Sequence, residues 1–210
     1  MFDASLIRFS SKKINKVAIV LTKRGFSANQ ISIIGFLFGV LAFVFISLDK
    51  TIIGLFFLIF NRFADGLDGA IARVKGLTRE GAFIDIVFDF IVYAMIPLAF
   101  CVRSPEDSFA ATILLTTFFG TAVTFLAFAV MAARVGIENK KFPNKSFYYM
   151  QGPVEGLETF IFFALMCLWP LYFSIFAYVF ASMCLVSTFW RFFAGLYYLN
   201  GKRVDQSASL

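Results

Sequence analysis

Apolar residues fall in six long runs, at 33–48, 51–64, 82–102, 109–133, 154–171 and 172–198, with short polar connections between them. A helix needs roughly 20 mostly apolar residues to cross a bilayer core, so the runs predict six transmembrane helices, several of them borrowing polar ends. The last two runs are parted by little more than Trp169 and Pro170. Proline cannot continue a helix, which makes Pro170 the predicted break. Ahead of the first run, Phe2, Leu6, Ile7, Phe9, Ile14, Val17, Ala18 and Leu21 recur near helical spacing among Arg8, Lys12, Lys13, Lys16, Lys23 and Arg24. This predicts a basic amphipathic helix over residues 1–32, lying on an anionic membrane surface. It does not read as a cleavable signal peptide, because no apolar core closes on a small-residue cleavage site.

The expected fold class is therefore an all-α integral membrane protein, six transmembrane helices preceded by a basic amphipathic surface helix, in one domain over 1–210. Composition supports that class, with 60% hydrophobic and 19% aromatic residues and a mean hydropathy of +0.83, which leaves too little polar surface for a soluble globule. A net charge of +6 could suggest nucleic acid, but the basic residues sit between the apolar runs. With an even number of spans and the N-terminus inside, 17 of the 19 Lys and Arg fall on the cytoplasmic side, leaving Lys50 and Arg103 outside. That asymmetry predicts an inner-membrane protein of bacterial type with both termini and the 61–81 connection facing the cytoplasm. Cys101, Cys167 and Cys184 are scattered without a CxxC pair, so neither a disulfide nor a zinc site is expected.

Charge inside the apolar pattern is concentrated in one stretch, NRFADGLDGAIARVKGLTREGAFIDIVFD, from Asn61 to Asp89. Ionisable groups are costly at membrane depth and usually mark a site. Asp65 and Asp68 are three residues apart, and Asp85 and Asp89 four apart, so each pair shares a helix face. Counted from Leu77, Asp68 lies nine residues before and Asp85 eight after, while Asp65 and Asp89 are each twelve away. Antiparallel packing of the second and third spans about that turn would bring all four carboxylates together, at about 1.5 Å of rise per residue.

Four carboxylates that close repel one another unless a cation joins them. Two Mg2+ or Mn2+ ions suit such a set, completed by phosphate oxygens and water, and could clamp a diphosphate. Gly69 and Gly81 would let a ligand approach helix backbone, and Arg73, one turn beyond Gly69, could fork onto phosphate oxygens. A lone membrane-edge aspartate is usually a cap or merely solvated; four with Arg73 and the glycines at compatible spacing are not. An EF-hand is excluded because the acidic residues do not alternate before the glycine, and a P-loop because no GKS or GKT occurs. The chain has no histidine, so a proton must pass through a carboxylate, Lys, Tyr or Cys.

The pattern D-x-x-D-G-x-x-A-R followed by G-x-x-x-D-x-x-x-D resembles the signature of the CDP-alcohol phosphatidyltransferases, matched by Asp65, Asp68, Gly69, Ala72, Arg73, Gly81, Asp85 and Asp89. The seven-residue spacer between Arg73 and Gly81 is one shorter than the commonest form, and Ala28-Asn29-Gln30-Ile31-Ser32 echoes the family's Pro-Asn-x-x-Thr/Ser element with alanine in place of proline. The resemblance implies an enzyme that uses two divalent ions to move a phosphatidyl group from CDP-diacylglycerol to an alcohol, releasing CMP. It implies Asp65, Asp68 and Asp85 as main metal ligands, and Asp89 as the fourth ligand and general base. Gly69, Ala72, Arg73 and Gly81 would hold the CDP moiety, and the protein would be a homodimer.

The acceptor is less legible. Arg134, Glu155 and Arg191 are candidate acceptor-binding residues, with Glu158 and Thr159 nearby. Arg191, at roughly the depth of the aspartates, would either bind an acceptor phosphate or pair with Glu155 or Glu158. Glycerol 3-phosphate or another small polar alcohol is the expected acceptor. Relatives using glycerol phosphate or inositol phosphate typically carry Pro after the third aspartate and a basic residue after the fourth; here Ile86 and Phe90 stand there, which leaves a neutral polyol, serine or a lipid hydroxyl open. Residues 145–150 before Gly152-Pro153 would shape the acceptor path or, more simply, anchor at the interface. A divalent-cation carrier and a metal-stabilised scaffold are the readings from other classes, though cation transport does not need Arg73 and the two glycines.

Overall fold

The computed structural model describes residues 14–134 and 152–207, with side chains as far as residue 200. Among the described residues every regular element is helical. A short α1 over 14–23 is the described part of the amphipathic arm; residues 1–13 lie outside it, as do Lys140, Lys141, Lys145 and the 145–150 segment. There follow α2 (Ala28–Ser47), α3 (Thr51–Lys75), α4 (Arg79–Arg103), α5 (Ser108–Arg134), α6 (Gly156–Leu168) and α7 (Phe173–Ser207). These six helices overlie the six apolar runs.

Four of them, α2, α4, the unit ending in α5, and α7, are long and apolar enough to cross a membrane, so the chain is a multi-pass membrane protein. The other two differ for physical reasons. α3 has the length, at 25 residues, but its C-terminal half carries the charges of the central stretch. α6 has only 13 residues, about 20 Å of helix, short of the roughly 30 Å hydrocarbon core. Six spans is thus a count that length and hydropathy alone do not reach.

Local chemistry sets the helix ends. Ser27 caps α2 through a reciprocal box with Gln30, and the Thr78 side chain accepts from the Gly81 N–H at 3.0 Å to start α4. Gly76, at φ 104°, closes α3 in a backbone region that disfavours a Cβ. The α3–α4 connection is thereby reduced to Gly76, Leu77 and Thr78, and α2 packs against both helices that it joins. Pro170 opens a 3-10 turn, Pro170–Tyr172, between α6 and α7, as its fixed φ and missing N–H require.

Helix α2 packs against both α3 and α4, α5 packs against α7, and α3 touches α6. Because lipid is as apolar as leucine, dispersion contacts rather than burial from water bind such helices. The stacked rings of Phe100 and Phe173, with centroids 4.4 Å apart, and of Phe162 and Phe180, 4.5 Å apart, supply them in the core. Each such pair contributes about 1 kcal/mol beyond area. At the end of the bundle away from the aspartates, Arg103 ties the α2–α3 turn to the start of α5, donating to Asp49 at 2.6 Å and facing Asp107 at 3.8 Å.

Candidate active site

The carboxylates of α3 and α4 converge as their spacing predicted, with α2 packed against both helices. Carboxylate oxygens of Asp65, Asp68 and Asp85 all lie within 4.8 Å of one another. Asp89 joins them in lining one cleft, whose remaining wall is Ser32, Gly35, Phe36, Asn61 and Phe88. Asp68 is the buried member, only 6% exposed, and Asp65, Asp85 and Asp89 are partly exposed.

Helix α2 completes the cleft. Ser32 Oγ donates to Asp68 Oδ2 at 2.5 Å, and Asn61 Nδ2 donates to the Gly35 carbonyl at 3.0 Å, which fixes α2 against α3. Phe36 and Phe88 stack with centroids 4.5 Å apart and close one side of the cleft with aromatic surface. On α3, the Arg62 guanidinium forms an ion pair with Asp65 one turn away.

The donor set fits a hard divalent cation. Two oxygens on one Mg2+ lie at most about 4.2 Å apart, given bonds of about 2.1 Å, so small side-chain rotations suffice to close the 4.8 Å cluster. Like-charged carboxylates at this spacing repel strongly away from bulk water, and a cation of charge two relieves that repulsion most directly.

Of the other residues singled out from sequence, Arg73 is exposed beyond the cleft. A Cβ at Gly69 would meet only Arg73 Nη1, at 3.4 Å, so space beside the helix is open there. Gly81 has a different surrounding: a Cβ would lie 2.9 Å from Thr78 Oγ1 and 3.2 Å from Asn29 Oδ1, so the helix cap already accounts for its small size. Arg134 is exposed at the end of α5. Arg191 is buried at 7% exposure, donates from Nη2 to the Val154 carbonyl at 3.1 Å and lies over the Phe125 ring, 5.8 Å from its centroid. Glu155 and Glu158 together cap the start of α6. Among the described residues, Arg134, Glu155 and Arg191 do not line the carboxylate cleft.

Ser32, Asn61 and Arg62 were not singled out as site residues from sequence. Arg62 carried a signal, since it precedes Asp65 by three residues on a helix, the spacing of an ion pair. Ser32 carried one as well, the last position of the Ala28–Ser32 family element, although its meeting with Asp68 spans 36 positions of sequence.

The CDP-alcohol phosphatidyltransferase family model matches residues 26–194. A curated relative, an inner membrane protein named YnjF of Escherichia coli, is 43% identical over 207 residues, covering 98% of this chain and all of its own length. The archaetidylinositol phosphate synthase of Pyrococcus horikoshii is 35% identical over 77 residues, 36% of this chain and 41% of its own. Two solved structures of the Mycobacterium tuberculosis phosphatidylinositol phosphate synthase share the fold. The form with CDP-DAG bound has a TM-score of 0.63 at 21% identity, covering 87% of this chain and 92% of that one. The form with manganese and citrate has a TM-score of 0.62 at 22% identity, covering 87% and 88%.

Proposed function

The chain belongs to the CDP-alcohol phosphatidyltransferase family, metal-dependent enzymes that transfer a phosphatidyl group from a CDP-linked lipid to an alcohol, and on that premise we propose the assignment of its residues to the reaction. The observation that carries the proposal is the closeness of Asp65, Asp68 and Asp85 in a cleft that also contains Asp89. Asp65, Asp68 and Asp85 hold two divalent cations, Mg2+ or Mn2+, with Asp89 as a further ligand. The donor is CDP-diacylglycerol, its CDP moiety lying along Gly69, Ala72, Arg73 and Gly81. The protein works as a homodimer, as one domain over 1–210, with the site on the cytoplasmic face of the inner membrane.

Bound cations supply charge neutralisation of the diphosphate and of the departing CMP. The chain's own residues do the rest. Ser32 holds Asp68 in register from α2, and Arg73 approaches the diphosphate from the exposed side. Asp89 accepts the proton of the acceptor hydroxyl as the acceptor oxygen bonds to the lipid-side phosphorus and the bond from that phosphorus to CMP breaks. Placement on α3 and α4 keeps the carboxylates on two rigid helices, so the proton acceptor and the ligand oxygens share one geometry.

The acceptor is glycerol 3-phosphate or another small polar alcohol. Purified protein given Mn2+ or Mg2+, labelled CDP-diacylglycerol and a panel of glycerol 3-phosphate, inositol phosphate, serine and neutral polyols should release CMP with at least one of them. No CMP release with any acceptor would sink the enzyme assignment, and Mn2+ flux into proteoliposomes would then favour a carrier. The supporting role of Ser32 has its own test. Ser32→Ala removes the one hydroxyl contact described for Asp68 and should weaken Mn2+ activation about tenfold, the usual scale for outer partners of a metal ligand. An unchanged Mn2+ dependence would leave Ser32 a packing residue.

A further inference from the structure

Arg62 stands one turn deeper than Asp65 on α3, and its guanidinium reaches in two directions. Toward the cleft it pairs with Asp65 and lies close enough to Asp89 to act on it electrostatically. Away from the cleft it rests against Gly156, the first residue of α6. A Cβ there would come within 2.9 Å of Arg62 Nη2 and 3.3 Å of Tyr93 Oη. The backbone start of α6 therefore serves as a seat for the guanidinium, and a Cβ there would make its Nη2 end shift. Glu155 and Glu158 cap the same end of α6, so the guanidinium is seated at that helix start while it pairs with Asp65.

We propose that Arg62 is a tethered counter-cation of the carboxylate cluster, a positioning residue that holds Asp65 in place in the metal-free enzyme and lowers the affinity of the cluster for divalent ions. The inference rests on the metal-site assignment above. Two effects of the guanidinium oppose each other. Ordering a carboxylate favours metal binding, but it concerns only the few torsions of one aspartate. A fixed positive charge within a side-chain length of a doubly charged ion repels it, and in a partly dehydrated cleft that repulsion is the larger effect. Without metal, the same charge offsets the mutual repulsion of the aspartates. The device thus trades metal affinity for a cluster that stays assembled when empty.

The probe is Mn2+ alone, titrated into the purified full-length protein with free Mn2+ read by electron paramagnetic resonance, beside thermal unfolding with and without Mn2+. Arg62→Met keeps the bulk and removes the charge. It should bind Mn2+ about tenfold more tightly, the scale of coupling between groups in contact. Its metal-free unfolding temperature should fall, and saturating Mn2+ should restore more of it than in the parent protein, as linkage requires. Arg62→Lys should bind Mn2+ close to the parent affinity, because the charge remains. Gly156→Ala displaces the guanidinium from its seat and should shift Mn2+ binding in the same direction, with no further shift in the Arg62→Met background. It also carries the test should Arg62→Met fail to fold. Unchanged or weaker Mn2+ binding in Arg62→Met, or additive effects of the two changes, would overturn the proposal. Absence of Mn2+ binding by the parent protein would instead overturn the metal-site assignment on which it rests.

Discussion

Asp89→Asn is expected to lower turnover by about 10³-fold, within the range for loss of a general base, while binding of Mn2+ and CDP-diacylglycerol stays within about threefold of the parent, the smaller effect expected of a residue outside the tightest ligand group. The amide keeps the shape of the side chain and its place on α4, beside Phe88 in the cleft wall, but it cannot take a proton from the acceptor hydroxyl. With no histidine in the chain, no imidazole is available to substitute. The measurement is single-turnover CMP release beside equilibrium binding of labelled donor. Loss of donor binding equal to that in Asp68→Ala would refute the base role and make Asp89 only a ligand.

Asp68→Ala is expected to remove metal binding, donor binding and turnover together, with CMP release down about 10³-fold or more, because several kcal/mol of charge stabilisation depend on the ions. Asp68 is the buried member of the cluster and is held from α2 by Ser32, so neighbouring water is poorly placed to substitute for its oxygens. Mn2+ titration by electron paramagnetic resonance and labelled-donor binding would both be measured. A variant that still bound Mn2+ at the parent affinity would remove Asp68 from the ligand set. The two substitutions together separate holding the donor from moving the proton. Neither result depends on which alcohol is the acceptor.

Helices and their order were readable because a bilayer imposes a coarse rule, long apolar runs separated by polar turns. Pro170 needed no tertiary information to mark the α6–α7 break. The span count was less readable, since the run at 154–171 yields a 13-residue α6 whose relation to the bilayer is not set by hydropathy. Within the site, Asp65, Asp68, Asp85 and Asp89 were legible because spacings of three and four put each pair on one helix face and a short turn joins the two helices, with α2 packed against both.

Partners contributed by distant segments were not legible. Ser32 had a place in the family element before the first span, but its contact with Asp68 exists only once α2 packs on α3. Arg62 counted only as a charge inside an apolar run, because its seat at Gly156 lies 94 residues later in the chain. Arg191 had two readings in sequence, acceptor binding or an acidic partner, and the structure adds a third engagement, the Val154 carbonyl, which no pattern of side chains could indicate. Gly81 was read as space for a ligand, and the structure adds Thr78 and Asn29 as neighbours that a Cβ there would meet.

By itself, then, the sequence determined the membrane class, the helix order, the aspartate face of α3 and α4 and the family signature, all properties of residues close in sequence or related by helical and hairpin periodicity. Tertiary structure alone decided which groups surround those aspartates: a serine from α2, a pair of stacked phenylalanines and an arginine lodged against the start of α6. The physical reason is that contacts between helices depend on interaxial distance and rotation, which are set by the summed packing of many side chains rather than by any local repeat.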